Sequence, residues 1–193
     1  ALPNADPHGW QFTVKHVIDR VAAALGLLAI SPLLISLVVL VRLSSPGPIF
    51  FRQDRIGRDG RVFQCLKFRT MRPSGASDAD FELESSSAPG GVEGSDRRTP
   101  IGKIMRSTSM DELPQLINVL KGEMSLVGPR PERPQFVEFF EIQIHRYGER
   151  HRVKAGITGW AQVHGLRGQT SIADRVEWDN YYIENWSLGL DLK

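Results

Sequence analysis

The sequence predicts an α+β protein, mainly helical, held to a membrane by a re-entrant N-terminal helix-break-helix and carrying a small β-hairpin. Three observations lead there. A charge-free apolar run, Val21 to Val41, is interrupted in its middle by Ser31-Pro32. Two short strand-like runs flank Asp59-Gly60, a hairpin signal. Leu113, Leu116, Ile117 and Leu120 then fall at i, i+3, i+4 and i+7, the spacing of one buried helix face.

The apolar run comes first. As one straight helix it would be about 31 Å long, enough for a bilayer. Proline at 32 removes a backbone donor and clashes with the carbonyl four residues back, so the helix must bend there. Basic residues stand on both sides: Lys15 and Arg20 before, Arg42, Arg52, Arg55 and Arg58 after. A crossing segment would strand one basic flank on the wrong side. A helix that enters, breaks at Ser31-Pro32 and leaves by the same face satisfies both facts, with a kinked span as the alternative. Groups freed at the bend need partners, and the Ser31 hydroxyl is one. No small-residue cleavage site follows, which argues against a secretory signal.

Ser45-Pro46-Gly47-Pro48 is turn chemistry, and strands are expected at Ile49-Phe51 and Val62-Leu66. Seven basic residues lie between 52 and 72; for most of them a solvated or membrane-facing surface is sufficient explanation. Lys67 and Arg69 alternate with Leu66, Phe68 and Thr70, so the two share one strand face. No nucleic-acid-binding module surrounds these residues, and the neighbouring apolar helix points to a membrane instead. Residues 73–98 are rich in Ser, Gly, Ala and acids, without periodicity, and read as a mobile loop. Residues 73–96 hold six acids and no base against a net charge of +2 overall, leaving the rest of the chain at +8. A body so basic suits phosphate ligands or an anionic membrane surface.

Thr99-Pro100 restarts a helix with threonine at the N-cap and proline at N1. Arg106 on its last turn can grip a phosphate or cap the helix end. Asp111 and Glu112 are expected at the N-terminus of the next helix. Either Ser109 caps that helix or Asp111 does so itself, and the second choice puts Pro114 in the tolerated first turn. Neighbours on a helix point about 100° apart, so the two acids should have different jobs. Simple helix capping is the ordinary reading of such a pair. Lys121-Gly122 ends the helix, and Gly128-Pro129-Arg130-Pro131 presents Arg130 from a stiff loop.

Glu132-Arg133-Pro134 opens a helix expected to run to about Tyr147-Gly148, its wide aromatic face suited to an interface or to the core. Residues 153–169 read as loop and short strand, and Val176 to Ile183 as helix. Trp178, Tyr181, Tyr182 and Trp186 suit a membrane interface or a core equally. One cysteine, Cys65, rules out an internal disulfide and reads as core.

Four blocks carry a resemblance: SPGPIFFRQDRIGRDG (45–60), KFRTM (67–71), DELPQLINVLKGEMSLVGPRP (111–131) and GITGWAQVHG (156–165). In that order they resemble the bacterial sugar transferases, the monotopic phosphoglycosyl transferases that move a sugar 1-phosphate onto a polyprenyl phosphate. The resemblance runs from about Lys15 to Lys193. It departs at Ala155, where the family usually has proline, and at His164, where asparagine is commoner. The ERPQFVEFF and LRGQT variants resemble longer members, and a chain beginning without Met is then expected to be their catalytic portion.

The resemblance implies a re-entrant membrane hairpin over 13–43 and a cytoplasmic catalytic domain over 44–193, on the cytoplasmic face of the bacterial inner membrane. It implies a UDP-sugar donor, a polyprenyl (undecaprenyl) phosphate acceptor, and Mg²⁺ as cofactor. Asp111 is expected as the nucleophile and Glu112 as the metal ligand, with Lys67, Arg69, Arg106, Arg130, Arg167 and Asp179 binding substrate. A conventional UDP-releasing glycosyltransferase and a non-catalytic membrane scaffold are the other classes. The sugar is not legible, and a second copy of the chain, as a homo-oligomer, is a candidate partner.

Overall fold

A computed structural model describes residues 9–72, 96–168 and 170–192. The apolar run forms two helices, α1 (Trp10–Ala29) and α2 (Ser31–Ser44), bent by 67° at the break. Pro32 cannot donate to the Leu28 carbonyl, and the Ser31 hydroxyl takes the donor's place at 2.8 Å. Among the described residues no single helix is long and apolar enough to cross a membrane, but the bent pair passes by length and composition. Outward faces of both helices are apolar: Val17, Val21, Leu25 and Leu28 on α1, Ile35 and Leu43 on α2.

The inward face of α1 belongs to the core. Ala23 packs with Val119 and Met124, and Phe12 with Tyr182 and Trp186. Between them lie buried charges. Lys15 Nζ pairs with Asp191 at 2.7 Å, and Asp19 accepts from the Ser125 hydroxyl at 2.5 Å. These contacts fix where the helix pair leaves the globular body. Arg69 ties down the far end of the pair: its Nη2 donates to the Ser45 carbonyl at 2.6 Å, at the C-terminus of α2.

The hairpin is as expected, with longer strands: β1 (Phe50–Ile56) pairs antiparallel with β2 (Val62–Phe68). Asp59 and Gly60 turn the chain in the left-handed region, at φ 56° and 72°. The outer edge of β2 is covered by a side chain. Asn118, fully buried, accepts from Leu66 N at 3.0 Å and donates to the Gln64 carbonyl at 2.8 Å, as a neighbouring strand would. That contact docks α4 (Gln115–Lys121) onto the hairpin, and Gly122 ends α4 in the left-handed region at φ 83°.

A second, parallel pair joins β3 (Ser125–Val127) to β4 (Gly156–Thr158). β4 is the short strand expected within 153–169; β3 went unforeseen because three residues carry too little pattern. Gly156 is required there, since a Cβ on it would stand 2.2 Å from Gly128 N. The next helix, α3 (Pro100–Ser107), starts as expected, with the Thr99 side chain accepting from Gly102 N at 3.0 Å.

The helix after Pro134, α5 (Pro134–Gln143), is shorter than expected. The chain turns back at Arg146, φ 60°, into a 3₁₀ segment Tyr147–Arg152, so that Tyr147 is buried against Phe140. Phe136, Val137 and Phe140 face the core, while Ile142 is 89 % exposed. Two short helices follow the second strand pair and a long one returns over the body: α6 (Trp160–Val163), α7 (Ile172–Glu184) and α8 (Leu188–Asp191). On α7 and beyond it the aromatics divide. Tyr182 and Trp186 are core, whereas Tyr181 is half exposed and Trp178 stacks on His164. Cys65 is buried, and burial pushes its thiol up, as a core residue rather than a reactive one requires. The loop expected over 73–98 lies outside the described residues up to 95. Its last residues are joined to the hairpin end, with Arg72 N donating to Arg97 O at 3.0 Å.

Asn118→Leu removes both side-chain contacts to the β2 edge. The unpaired amide should lower stability by about 2 kcal/mol, read as a shift in the urea midpoint with the slope unchanged.

Candidate active site

The two acids are not in the first turn of α4. After α3 the chain passes Ser109 in the left-handed region (φ 58°), then makes a 3₁₀ turn, Met110–Glu112, and α4 begins only after Pro114. Neither Ser109 nor Asp111 caps the helix with its side chain. Pro114 has no N–H for the Met110 carbonyl, so Leu113 N takes it at 3.3 Å in a tighter turn. The outcome is a short rigid ledge holding both carboxylates at the wall of a large cavity.

That cavity, about 1340 Å³, is walled by the hairpin, α3, the acid ledge, the Arg130 loop and the segment around Arg167. It brings together Asp111, Glu112, Lys67, Arg69, Arg106, Arg130 and Arg167. Asp179 is placed elsewhere. It is buried behind the Arg130 loop, paired with Arg150 at 2.7 Å. Sequence reading missed Arg55, Glu132 and Arg175, which also line the cavity. Glu132 and Arg55 stood inside noticed blocks, but only folding brings them together; Arg175 carried no signal.

Glu112 is the hub of the charges. Lys67 Nζ meets its Oε1 at 2.7 Å, and Arg130 grips it with both terminal nitrogens, at 2.7 and 3.3 Å. Burial works against the Glu112 charge, but Arg130 and Lys67 outweigh it and hold the carboxyl down at about 2. Asp111 lies one residue away in a different setting. Its residue is 7 % exposed, and burial pushes its carboxyl above the ordinary value, with Glu112 adding to the rise against Lys67 and Arg106. Two neighbouring acids thus have pKa values driven apart, the pattern that separates roles. Arg69 lines the cavity but spends its Nη2 on the end of α2, and Arg106 Nε donates to the Thr70 hydroxyl at 3.0 Å.

Among the described residues no group of three or more His, Cys, Asp or Glu side chains could enclose a metal ion. The donors present do fit Mg²⁺, which takes one or two carboxylates and fills its octahedron with water and substrate phosphate. Glu112 and Asp111 are hard oxygen donors on the cavity wall.

A cavity with two differentiated acids and a ring of arginines defines an anion-handling site, and Arg69 on its wall ties it to the C-terminal end of the bent apolar helix pair. A family model described as "Bacterial sugar transferase" matches residues 10–193. The chain is similar to the UDP-glucose:undecaprenyl-phosphate glucose-1-phosphate transferase of Xanthomonas campestris pv. campestris, with 41 % identity over 97 % of this chain and 38 % of that protein. It is similar to the UDP-N-acetylgalactosamine-undecaprenyl-phosphate N-acetylgalactosaminephosphotransferase of Aeromonas hydrophila, with 43 % identity over 93 % of this chain and 41 % of that protein. It is also similar to the exopolysaccharide production protein ExoY of Sinorhizobium fredii, with 40 % identity over 92 % of this chain and 80 % of that protein. The chain belongs to the bacterial sugar transferase family. It spans about two-fifths of the length of the first two relatives.

The acids should move stability in opposite directions. Glu112, held low in the fold, contributes stability that is present above its unfolded pKa of about 4.3 and lost as pH falls toward about 2. Glu112→Gln should therefore cost up to about 3 kcal/mol at neutral pH and flatten acid unfolding in that window. Asp111, held high, opposes folding once ionised, so Asp111→Asn should raise the unfolding midpoint at pH 7. Urea titrations across pH 2–7 measure both; a lower midpoint for Asp111→Asn would contradict the burial argument.

Proposed function

We propose that the chain transfers a sugar 1-phosphate from a UDP-sugar to polyprenyl (undecaprenyl) phosphate, giving polyprenyl diphosphate sugar and UMP at the cytoplasmic face of the membrane. One observation carries this reading. Two adjacent acids with opposed electrostatic settings stand in a basic cavity beside the bent apolar helix pair. Names of the relatives, which pair a UDP-sugar with undecaprenyl phosphate, support the same substrates.

Asp111 is the nucleophile. A carboxylate desolvated by burial is more basic and more nucleophilic than one in water, provided it is ionised, and Lys67 and Arg106 keep that charge accessible. Its oxygen attacks the phosphorus that bears the sugar; the bond to the bridging oxygen breaks, and UMP leaves. The phosphate oxygen of the polyprenyl chain then attacks the same phosphorus, and the bond to Asp111 breaks. Each step places negative charge on phosphate oxygens, which Lys67, Arg106, Arg130 and Arg167 are set to neutralise. Glu112 would hold Mg²⁺, which supplies further neutralisation of the diphosphate when bound. Its pairing with Lys67 and Arg130 keeps it ionised and aimed into the cavity. The helix pair brings the lipid phosphate to this edge while the sugar nucleotide enters from water. Relatives are named for glucose and for N-acetylgalactosamine, so overall similarity does not choose the sugar.

Nucleotide release from a panel of UDP-sugars, with Mg²⁺ and undecaprenyl phosphate in detergent, tests the reading. UMP is expected, with a sub-stoichiometric burst when the lipid is left out. UDP would instead indicate a conventional glycosyltransferase. Asp111→Asn should abolish turnover and the trapped phosphosugar adduct, and normal turnover would remove Asp111 from the role. Because burial raises the Asp111 pKa, the acid limb of the rate should lie above the ordinary Asp value near 3.9. Lys67→Met, by deleting a charge that lowers it, should move the limb further up.

A further inference from the structure

Three successive residues after Gly128-Pro129 are held through their acceptors by arginines from other elements. Arg150 Nη2 donates to the Arg130 carbonyl at 3.0 Å, and Arg55 Nη1 donates to the Pro131 carbonyl at 2.8 Å. The Glu132 carboxylate pairs with Arg55 at 3.7 Å and Arg175 at 3.4 Å. Local chemistry explains the arrangement. Pro129 and Pro131 carry no N–H, so this loop has few donors through which a ladder could hold it.

Arg150 differs from the other two in its setting. It is 1 % exposed and does not line the cavity, and the charge it brings into the core is met by Asp179 Oδ2 at 2.7 Å, itself 2 % exposed. The Tyr147 ring lies 5.2 Å from its guanidinium carbon. For stability alone, an apolar pair of similar volume commonly serves as well as a buried ion pair. What an apolar pair lacks is a donor for the Arg130 carbonyl. Arg130 is thus fixed at both ends, by Arg150 at its backbone and by Glu112 at its guanidinium.

We infer that Arg150, with Asp179 as its counter-ion, is a positioning residue for Arg130 and so for the phosphate-binding side of the cavity. This rests on the reading that Arg130 contacts the sugar nucleotide. Asp179 itself does not touch substrate; it keeps Arg150 charged, buried and aimed at the loop. A misplacement of Arg130 of the order of 1 Å is enough to lower kcat/KM by about 10- to 100-fold.

Two variants of the chain in detergent test this. Asp179→Asn alone would leave a buried unpaired guanidinium and risk unfolding, so the first variant is Arg150→Met combined with Asp179→Val, which removes both charges. The second is Arg150→Lys, which keeps the charge against Asp179 but loses the planar fork. Both are expected to melt close to the parent. In both, amide hydrogen exchange should rise at residues 130, 132 and 133, and the KM for the UDP-sugar should rise about 10-fold or more, with kcat less affected. Unchanged exchange and unchanged KM would overturn the inference. Faster exchange with an unchanged KM would also overturn it, leaving a loop tether without bearing on substrate. If the parent chain releases no nucleotide from any UDP-sugar, the proposed function fails, and exchange alone still decides whether Arg150 positions the loop.

Discussion

The Glu112 carboxylate is the contact on which the site depends. It is met by Lys67 from β2 and by Arg130 from the proline-flanked loop, so one side chain joins three elements that are far apart in sequence. A half-buried acid gripped by two cations resists being broken, because removal of one partner leaves a charge that is only partly solvated and uncompensated. The same charges that hold the walls together face the cavity. The groups that close the cavity wall are thus also groups that line it, and the cavity forms only when the hairpin, ledge and loop have all docked.

Asp111 stands next to this hub and is treated differently by the fold. Burial raises its carboxyl while its neighbour is held at about 2. The contrast arises from backbone geometry. A left-handed Ser109, a 3₁₀ turn and Pro114 force the two acids onto a ledge before the helix, and there Glu112 reaches the cations while Asp111 stays in a poorer polar environment. An acid desolvated in this way opposes folding when ionised, which is the ordinary relation between a strained site and stability.

The helix pair and the globular body are one packed unit at their junction. Lys15, Asp19 and Asp191 form buried polar contacts where α1 meets the body, and Arg69 closes the end of α2. These contacts fix the angle at which the apolar helices leave the globular body. Packing at the junction therefore sets the direction of the apolar helices relative to the body that carries the cavity.

The sequence by itself determined the local features. The break at Ser31-Pro32, the Asp59-Gly60 turn, the Thr99 cap and the Gly122 stop each follow from one or two residues with strong backbone preferences. The ordered blocks also pointed to the family and to most residues of the cavity. Tertiary structure decided what periodicity and capping rules do not encode. It moved the acids off the helix, shortened α5 so that Tyr147 could fill the core, and formed β3 as half of a three-residue parallel pair. It drew Asp179 away from the cavity and made it the counter-ion of Arg150. It also brought Arg55 and Arg175 to Glu132 on the cavity wall, beside a loop with few donors of its own. Local backbone preference is written in neighbouring residues; the pairing of buried charges depends on which distant elements share a wall, and that is known only once the chain has packed.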